Sequence, residues 1–264
     1  MPLEWLVFLA LGAVAGVLAG LLGVGGGLVL VAALAWLLPR LGVPPQFAMQ
    51  AALASSMASI VLTAAASARA HARRGAVLWP TVAWMVPGLL VGGVLGSGIA
   101  VQIPGAVLRA GVAGYCLLAA AQLALSKTRT STSDIVPRGW PMSLAGTAIG
   151  MVSALVGIGG GGMTVPLLVW RGVAPVRAVG TSSACGVAIG VGSALGYMLH
   201  RPPGGLAEYA VGYVYLPAAL GVAAASVFAA PFGTRLAHRI SGPALKRVFA
   251  LFLVGVAASL IVGR

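Results

Sequence analysis

Apolar runs separated by short polar loops cover the chain from end to end. The sequence predicts helical segments at residues 3–22, 28–38, 49–68, 77–100, 106–125, 141–157, 163–170, 178–199, 209–231 and 244–262. Most of them approach the roughly 20 apolar residues that a helix needs to cross a bilayer. A polar stretch follows the fifth segment. The pattern therefore predicts two transmembrane repeats, residues 1–125 and 141–264, joined by a polar cytoplasmic linker at residues 126–140.

A glycine motif lies between the first and second segments of each repeat. It reads GLLGVGGGLVLV at residues 20–31 and ALVGIGGGGMTVPLL at residues 154–168. Three consecutive glycines make a poor helix, so their recurrence at matched positions predicts an intended break. The alternative role is close helix packing, for which Gly12, Gly16 and Gly20 form a ridge of small residues.

Composition identifies lipid as the solvent of this fold. Of the 264 residues, 60% are hydrophobic and 7% are charged, and the mean hydropathy is +1.05. These values are typical of a multi-pass membrane protein. The net charge of +13 comes from basic residues in short loops without interleaved aromatics, so we expect no nucleic-acid partner. Cys116 and Cys185 lie in apolar runs, and neither a disulfide framework nor a metal site is expected.

The distribution of basic residues bears on how each glycine motif sits in the membrane. If the first two segments of each repeat make one broken span, the 16 Lys and Arg residues divide equally between the two faces. If they make a re-entrant hairpin, one face keeps only Arg40, Arg109, Arg201 and Arg264. The hairpin satisfies the positive-inside rule. It predicts inverted repeats in the bacterial inner membrane, with both termini in the periplasm.

The predicted fold is an all-α integral membrane protein of two inverted repeats. Each repeat has a glycine-rich broken or re-entrant helical hairpin followed by three transmembrane helices. Inverted repeats with interrupted helices are typical of secondary transporters, which hold their substrate where the two interruptions meet. The glycine motifs are therefore the leading candidates for a binding site.

The chemistry of these motifs suits an anion. Glycines let backbone N–H groups converge on a ligand, and the N-terminus of the following helix carries positive partial charge. The next helix of each repeat is rich in hydroxyls, with Ser55, Ser59, Thr63 and Ser67 on one face and Thr181, Cys185, Ser193 and Tyr197 on one face in the second repeat. These hydroxyls either bind the anion or bond their own or a neighbouring helix. The candidate substrate-binding residues are Gly25, Gly26, Gly27, Ser55, Ser56, Gly159, Gly160, Gly161, Thr181 and Ser182.

Acidic residues are informative by their scarcity. Glu4, Asp134 and Glu208 all lie at a terminus, a linker or a segment start, so no carboxylate is expected inside the membrane for a cation pump or a proton relay. An intramembrane hydrolase with a Ser–His dyad is the alternative from another class. The chain has no G-x-S-x-G motif. We expect a protein that is not an enzyme and uses no cofactor.

Four motifs in order resemble the sulfite exporter TauE/SafE family of membrane permeases. They are the duplicated glycine motif with VPLL after its second copy, GTSSA at residues 180–184, RAHARRGAV at residues 69–77 and PGLLVGGVLG at residues 87–96. The first repeat departs from the family pattern: Val31 and Ala32 stand where a proline often follows the glycine loop, and Ala54, Ser55 and Ser56 where Gly-Thr-Ser is common. The resemblance implies a permease for sulfur-containing anions.

The residues and the resemblance together predict a secondary transporter. It would move a small sulfur-containing oxyanion, such as sulfite or an organosulfonate, across the inner membrane by alternating access. An anion channel and a membrane accessory subunit without transport activity are the alternatives. The expected partners are the small anionic substrate and the lipid bilayer, and a homodimer is left open.

Overall fold

A computed structural model describes residues 2–22, 26–125, 136–237 and 242–262. Ten α-helices lie in these residues: α1 Pro2–Leu22, α2 Gly27–Leu37, α3 Ala48–Ala72, α4 Trp79–Ala100, α5 Gly105–Leu125, α6 Trp140–Val156, α7 Gly161–Trp170, α8 Pro175–Leu199, α9 Leu216–Ala237 and α10 Gly242–Val262. Two 3₁₀ turns, Leu38–Leu41 and Pro45–Phe47, connect α2 to α3. A two-residue antiparallel pair, β1 Ala210–Val211 and β2 Val214–Tyr215, precedes α9.

The ten helices correspond in order to the ten predicted segments. Among the described residues, six helices are long and apolar enough to cross a membrane, which confirms an all-helical, multi-pass membrane protein. One segment boundary was wrong. Residues 209–215, predicted as helix, form the β1–β2 hairpin, where Tyr209 and Gly212 have φ of 64° and 58° and β-branched valines occupy the strands. The two positive φ values end any helix before α9 can begin.

Helices α3 and α8 form the centre of the bundle. Of their spans, 72% and 78% of the residues are buried, against 28–44% in the other four long helices. Small residues allow this close crossing, since Gly186 of α8 lies against Ala64 and Gly190 lies against Met57 and Val61. The hydroxyl stripe of α3 is buried along its length. Position in the bundle, rather than hydrophobicity alone, therefore makes these two helices the core.

The outer helices pack on this centre in reciprocal pairs. Helix α1 of the first repeat packs along α9 of the second, and α6 of the second packs along α4 of the first. Glycines make both contacts tight: Gly12 and Gly16 lie against the backbone of Val222 and Ser226 in α9. Gly92 of α4 lies against the backbone of Thr147 in α6. Helices α5 and α10 pack on each other at the periphery.

The connections gather at two ends of the bundle. At the first, called the hairpin end, the Phe47 ring meets Tyr213 at 5.9 Å, and the Gln50 amide donates to the Ile103 carbonyl at 2.9 Å. At the second, called the linker end, the Thr81 hydroxyl donates to the Pro137 carbonyl at 2.8 Å, and Gly180 lies against Ala76. The described arginines divide unequally between these ends.

The hairpin end has Arg40, Arg109 and Arg201 in its connections or adjoining helical turns. The linker end has Arg69, Arg73, Arg74, Arg138, Arg171 and Arg177, and the last turn of α9 adds Arg235.

The α4–α6 contact gives a packing prediction. We expect Gly92→Leu to reduce the stability of the protein by about 1–3 kcal/mol or more, because its side chain would overlap the backbone of Thr147, which cannot rotate away. The measurement is the thermal unfolding midpoint in detergent. Gly111→Leu is the matched control, since nothing lies within 4 Å of that position. Equal midpoints for the two variants would contradict the glycine-mediated contact.

Candidate functional site

The two glycine turns meet in the middle of the bundle. Gly27, the first residue of α2, lies so close to the Gly157 carbonyl that a side chain there would overlap it. Gly157 in turn lies against Val31 and Leu53. The residues that begin α2 and end α6 thus touch across the boundary between the repeats.

The first turn folds back along α1. Gly25 lies outside the described residues. Gly26 has φ of 67° and lies against the backbone of Ala15. In a continuous helix Gly26 would be about 16 Å beyond Ala15, at 1.5 Å per residue. The chain therefore reverses direction here, and α2 is the returning leg of a hairpin.

The second turn begins with a left-handed residue. Gly157 has φ of 78°, and the amides of Gly157 and Ile158 both donate to the Ser153 carbonyl, at 2.8 and 3.2 Å. Gly159, Gly160 and Gly161 are buried, and α7 begins at Gly161 without a side-chain cap. The first amides of a helix have no acceptor within it, so the N-terminus of α7 brings donors into the core.

The four predicted hydroxyls occupy three different situations. Ser55 accepts a hydrogen bond from the Tyr215 amide at 2.9 Å, and Thr181 accepts one from the Leu78 amide at 3.0 Å. These two side chains hold the hairpin end and the linker end to the central helices. Ser56 donates to the Gly27 carbonyl at 3.2 Å and so supports the first turn. The Ser182 hydroxyl is buried and has no partner among the described residues.

Thr164 stands beside Ser182, and sequence reasoning missed it. Its hydroxyl is buried and also has no partner among the described residues. The Ser182 and Thr164 oxygens lie 3.2 and 3.3 Å from the position that a Cβ on Gly160 would take. A threonine two residues after the glycine run, in the first turn of a short helix, is the signal that was available. The aligned position of the first repeat is Leu30, so only the second turn has this pair.

Buried hydroxyls without partners are uncommon, because an unmet polar group in an apolar interior costs free energy. Ser193 is a further case, but it lies against Gly93 between α8 and α4. At Gly160, two such hydroxyls lie next to the N-terminus of α7. This arrangement can donate several hydrogen bonds to one ligand.

A small cavity adjoins the second turn. Its volume is about 10 Å³, and it is lined by Ala19, Ala64, Ser67, Gly159, Gly160, Ser183 and Gly186. That volume is close to the minimum for one water molecule. Ser67 and Ser183 face each other across it with their hydroxyl oxygens 3.2 Å apart. The cavity is too small for an oxyanion, so such a ligand would need the turns to separate.

The surroundings of this site are electrically neutral. Every arginine whose side chain is described is exposed or half-buried, and His71 is the one basic side chain buried among the described residues. The Tyr115 hydroxyl from α5 lies beside Gly162 and is a further donor that sequence reasoning missed. No group of three or more metal-ligating side chains occurs among the described residues. Positive potential here comes from backbone and hydroxyl dipoles.

Comparisons with known proteins found one matching family model and relatives that align with nearly the whole chain. The family model for the sulfite exporter TauE/SafE matches residues 8–260. A probable membrane transporter protein of Haemophilus influenzae is 36% identical over 259 residues, which are 97% of each chain. A probable membrane transporter protein of Methanocaldococcus jannaschii is 25% identical over 261 residues, covering 97% of this chain and 96% of its own. These names indicate a transporter rather than an enzyme. No solved structure matches the chain.

The state of the Ser182 hydroxyl can be tested without a ligand. We expect Ser182→Ala to leave the thermal unfolding midpoint in detergent unchanged or raised, since it removes a buried polar group that has no partner. Ser56→Ala is the matched comparison and should destabilise by about 1 kcal/mol, because it removes the hydrogen bond from α3 to the Gly27 carbonyl. Equal destabilisation by the two substitutions would mean that Ser182 is bonded in the resting protein.

Proposed function

Because the chain belongs to the sulfite exporter TauE/SafE family, we propose that it is a secondary transporter for a small sulfur-containing oxyanion. Sulfite and organosulfonates are the substrates that the family description and the donor chemistry favour. The transporter acts in the inner membrane by alternating access. The two relatives, each named a probable membrane transporter, support the general activity.

One observation carries the proposal: unpartnered donors converge where the two glycine turns meet. Ser182 and Thr164 bring hydroxyls to Gly160, and the first amides of α7 face the same region. Gly159, Gly160, Gly161 and Ser182 are the predicted residues that we assign to substrate contact, with Thr164 added. Gly25, Gly26 and Gly27 belong to the opposing turn. Ser55, Ser56 and Thr181 would have to give up backbone partners to bind substrate.

The packing supports inverted repeats. Exchange of the two repeats turns the α1–α9 contact into the α6–α4 contact and leaves the α3–α8 contact unchanged, as a two-fold relation requires. In each repeat a returning hairpin is followed by three long helices. An odd number of crossings then separates equivalent points, which reverses the second repeat in the membrane. The linker end, richer in arginine, would face the cytoplasm, with both termini periplasmic.

The closed cavity supports alternating access. An oxyanion does not fit in about 10 Å³, so the turns must part before it can bind. The α1–α2 and α6–α7 hairpins are the elements that meet there, and each bends at a glycine with positive φ, Gly26 or Gly157. Separation of one hairpin at a time would open the site to one side of the membrane.

The transport proposal predicts the effect of removing single donors. In proteoliposomes, Ser182→Ala and Thr164→Val should each lower kcat/KM for sulfite by roughly tenfold or more, because a hydrogen bond to a charged group contributes about 1.5–3 kcal/mol. Ser97→Ala is the control, since that buried hydroxyl bonds only the Val94 carbonyl of its own helix. The measurement is the initial rate of labelled sulfite uptake against concentration.

The same assay separates the alternative functions. A carrier saturates and exchanges internal for external substrate, which is the expected result. Flux that stays linear with concentration and shows no exchange would favour an anion channel. An absence of flux with every sulfur oxyanion, in protein that is folded by its unfolding midpoint, would favour an accessory subunit.

The orientation predicts which positions a membrane-impermeant thiol reagent reaches in intact cells. In a background with Cys116→Ala and Cys185→Ala, both natural cysteines being buried, Pro203→Cys in the exposed α8–α9 loop should label from outside. Ser131→Cys in the linker should label only after the membrane is permeabilised. Labelling of Ser131→Cys in intact cells would contradict the inverted arrangement.

A further inference from the structure

The groups around the second glycine turn bear on how much charge a bound substrate can carry. We infer that the site selects singly charged oxyanions, such as hydrogensulfite and alkyl sulfonates, over doubly charged ones such as sulfate. This inference rests on the proposed function and narrows its substrate class. It follows from which groups can face the ligand at the second glycine turn and which cannot.

Neutral hydroxyls supply the donors. Ser182 and Thr164 are fully buried, have no partner among the described residues and lie beside Gly160. Ser67 of α3 lines the small cavity that Gly160 also lines. Ser183 donates its single hydrogen to the Val179 carbonyl at 3.1 Å, so in its 3.2 Å contact with Ser67 it accepts and Ser67 donates. Rotation of the Ser67 hydroxyl would transfer that hydrogen bond to a ligand oxygen.

Ser67 and Ser183 would therefore contribute to the choice between ligands. Neither lies at the aligned hydroxyl pairs, and each enters the cavity because α3 and α8 cross there. Ser183 lines the cavity and its hydroxyl oxygen can still accept a hydrogen bond, so the pair can accept as well as donate. A protonated oxyanion such as hydrogensulfite can use both kinds of bond.

No cation accompanies these donors. The described arginines are exposed or half-buried and lie in loops or in turns near helix ends, and no buried carboxylate or lysine occurs among the described residues. Dipoles of hydroxyls and amides can spread one negative charge over several hydrogen bonds. A second charge adds a large desolvation cost in an apolar interior and has no opposite charge to offset it. The site therefore favours the ligand that carries less charge into it.

His71 is the group that could change this balance. It is buried on α3, one helical turn beyond Ser67 towards the linker end, and its imidazole would be a cation when protonated. Among the described residues, the other titratable side chains near the turn are Tyr115 of α5, beside Gly162, and Cys185 of α8, next to the cavity-lining Gly186, and neither can carry a positive charge. A test must distinguish the charge of the ligand from the charge of His71.

The experiment measures anion binding to the purified full-length protein by isothermal titration at constant ionic strength. Methanesulfonate, singly charged throughout, is compared with sulfate, doubly charged throughout. We expect sulfate to bind at least about tenfold more weakly. Sulfite is then titrated at a series of pH values across neutrality. Its apparent affinity should fall as pH rises, in proportion to the loss of hydrogensulfite, while the affinity for methanesulfonate stays constant.

Two variants extend the test. Ser67→Ala should weaken methanesulfonate binding several-fold, whereas the control Ser97→Ala should leave it unchanged. His71→Gln should leave the preference for methanesulfonate over sulfate intact. Loss of the preference in His71→Gln would show that His71, and not the neutral donors, sets the selectivity, and would overturn the inference.

Other outcomes separate the inference from the proposed function. Sulfate binding as tight as methanesulfonate, or sulfite affinity that rises with pH, would overturn charge selection and leave an oxyanion transporter in place. A methanesulfonate affinity that falls in parallel with that of sulfite would place the titration on the protein and also overturn it. Failure of every oxyanion to bind would remove the proposed function itself, and the inference with it.

Discussion

Breaking a helix inside an apolar bundle leaves backbone amides and carbonyls with no water to bond, and the rest of this structure depends on how they are satisfied. The Gly157 and Ile158 amides share the Ser153 carbonyl, and the Ser56 hydroxyl adds a hydrogen bond from α3 to the Gly27 carbonyl at the start of α2. Both solutions need close approach. Glycines permit it, because a side chain at Gly27 or Gly157 would overlap the opposing turn. The meeting of the two turns is thus a packing requirement as well as a candidate site.

The two predicted repeats share one order of elements but differ in their hydrogen bonding around the glycine turns. Their helices contact each other reciprocally, and each repeat has its hairpin, its hydroxyl-bearing central helix and two outer helices. Around the turns the symmetry ends. Ser56 supports the first turn, whereas Ser182 at the aligned position has no partner among the described residues. In the first repeat, Leu30 occupies the position that aligns with Thr164. We interpret the first turn as one side of the candidate site and the second turn as the side that supplies its hydrogen-bond donors.

The described residues place neutral hydrogen-bond donors at the centre of the bundle and arginines at its two ends. In the proposed orientation the linker end, which has more arginines, faces the cytoplasm, where exposed charge interacts with solvent and lipid headgroups. The interior instead presents dipoles that are fixed by the fold and need no counterion. In the proposed transporter an anion could enter such an interior and leave it again, because no arginine or lysine is buried among the described residues.

Hydrophobic patterning by itself determined the class of the protein, the ten helical segments and the place of both glycine turns, since the length of an apolar run and the helix-breaking effect of glycine are local properties. It also identified α3 and α8 as the hydroxyl-bearing helices. Tertiary structure alone decided which hydroxyl is free to bind. Ser55 and Thr181 are occupied by the Tyr215 and Leu78 amides, which are distant in sequence. Thr164 lies beside Gly160, and Ser67 lines the cavity next to it. The strands at residues 210–215 were likewise read as helix, because an apolar run of valine and tyrosine has the same composition in either form. Hydrogen bonding between distant segments has no periodic signature in a sequence, so its partners emerge only when the helices are packed.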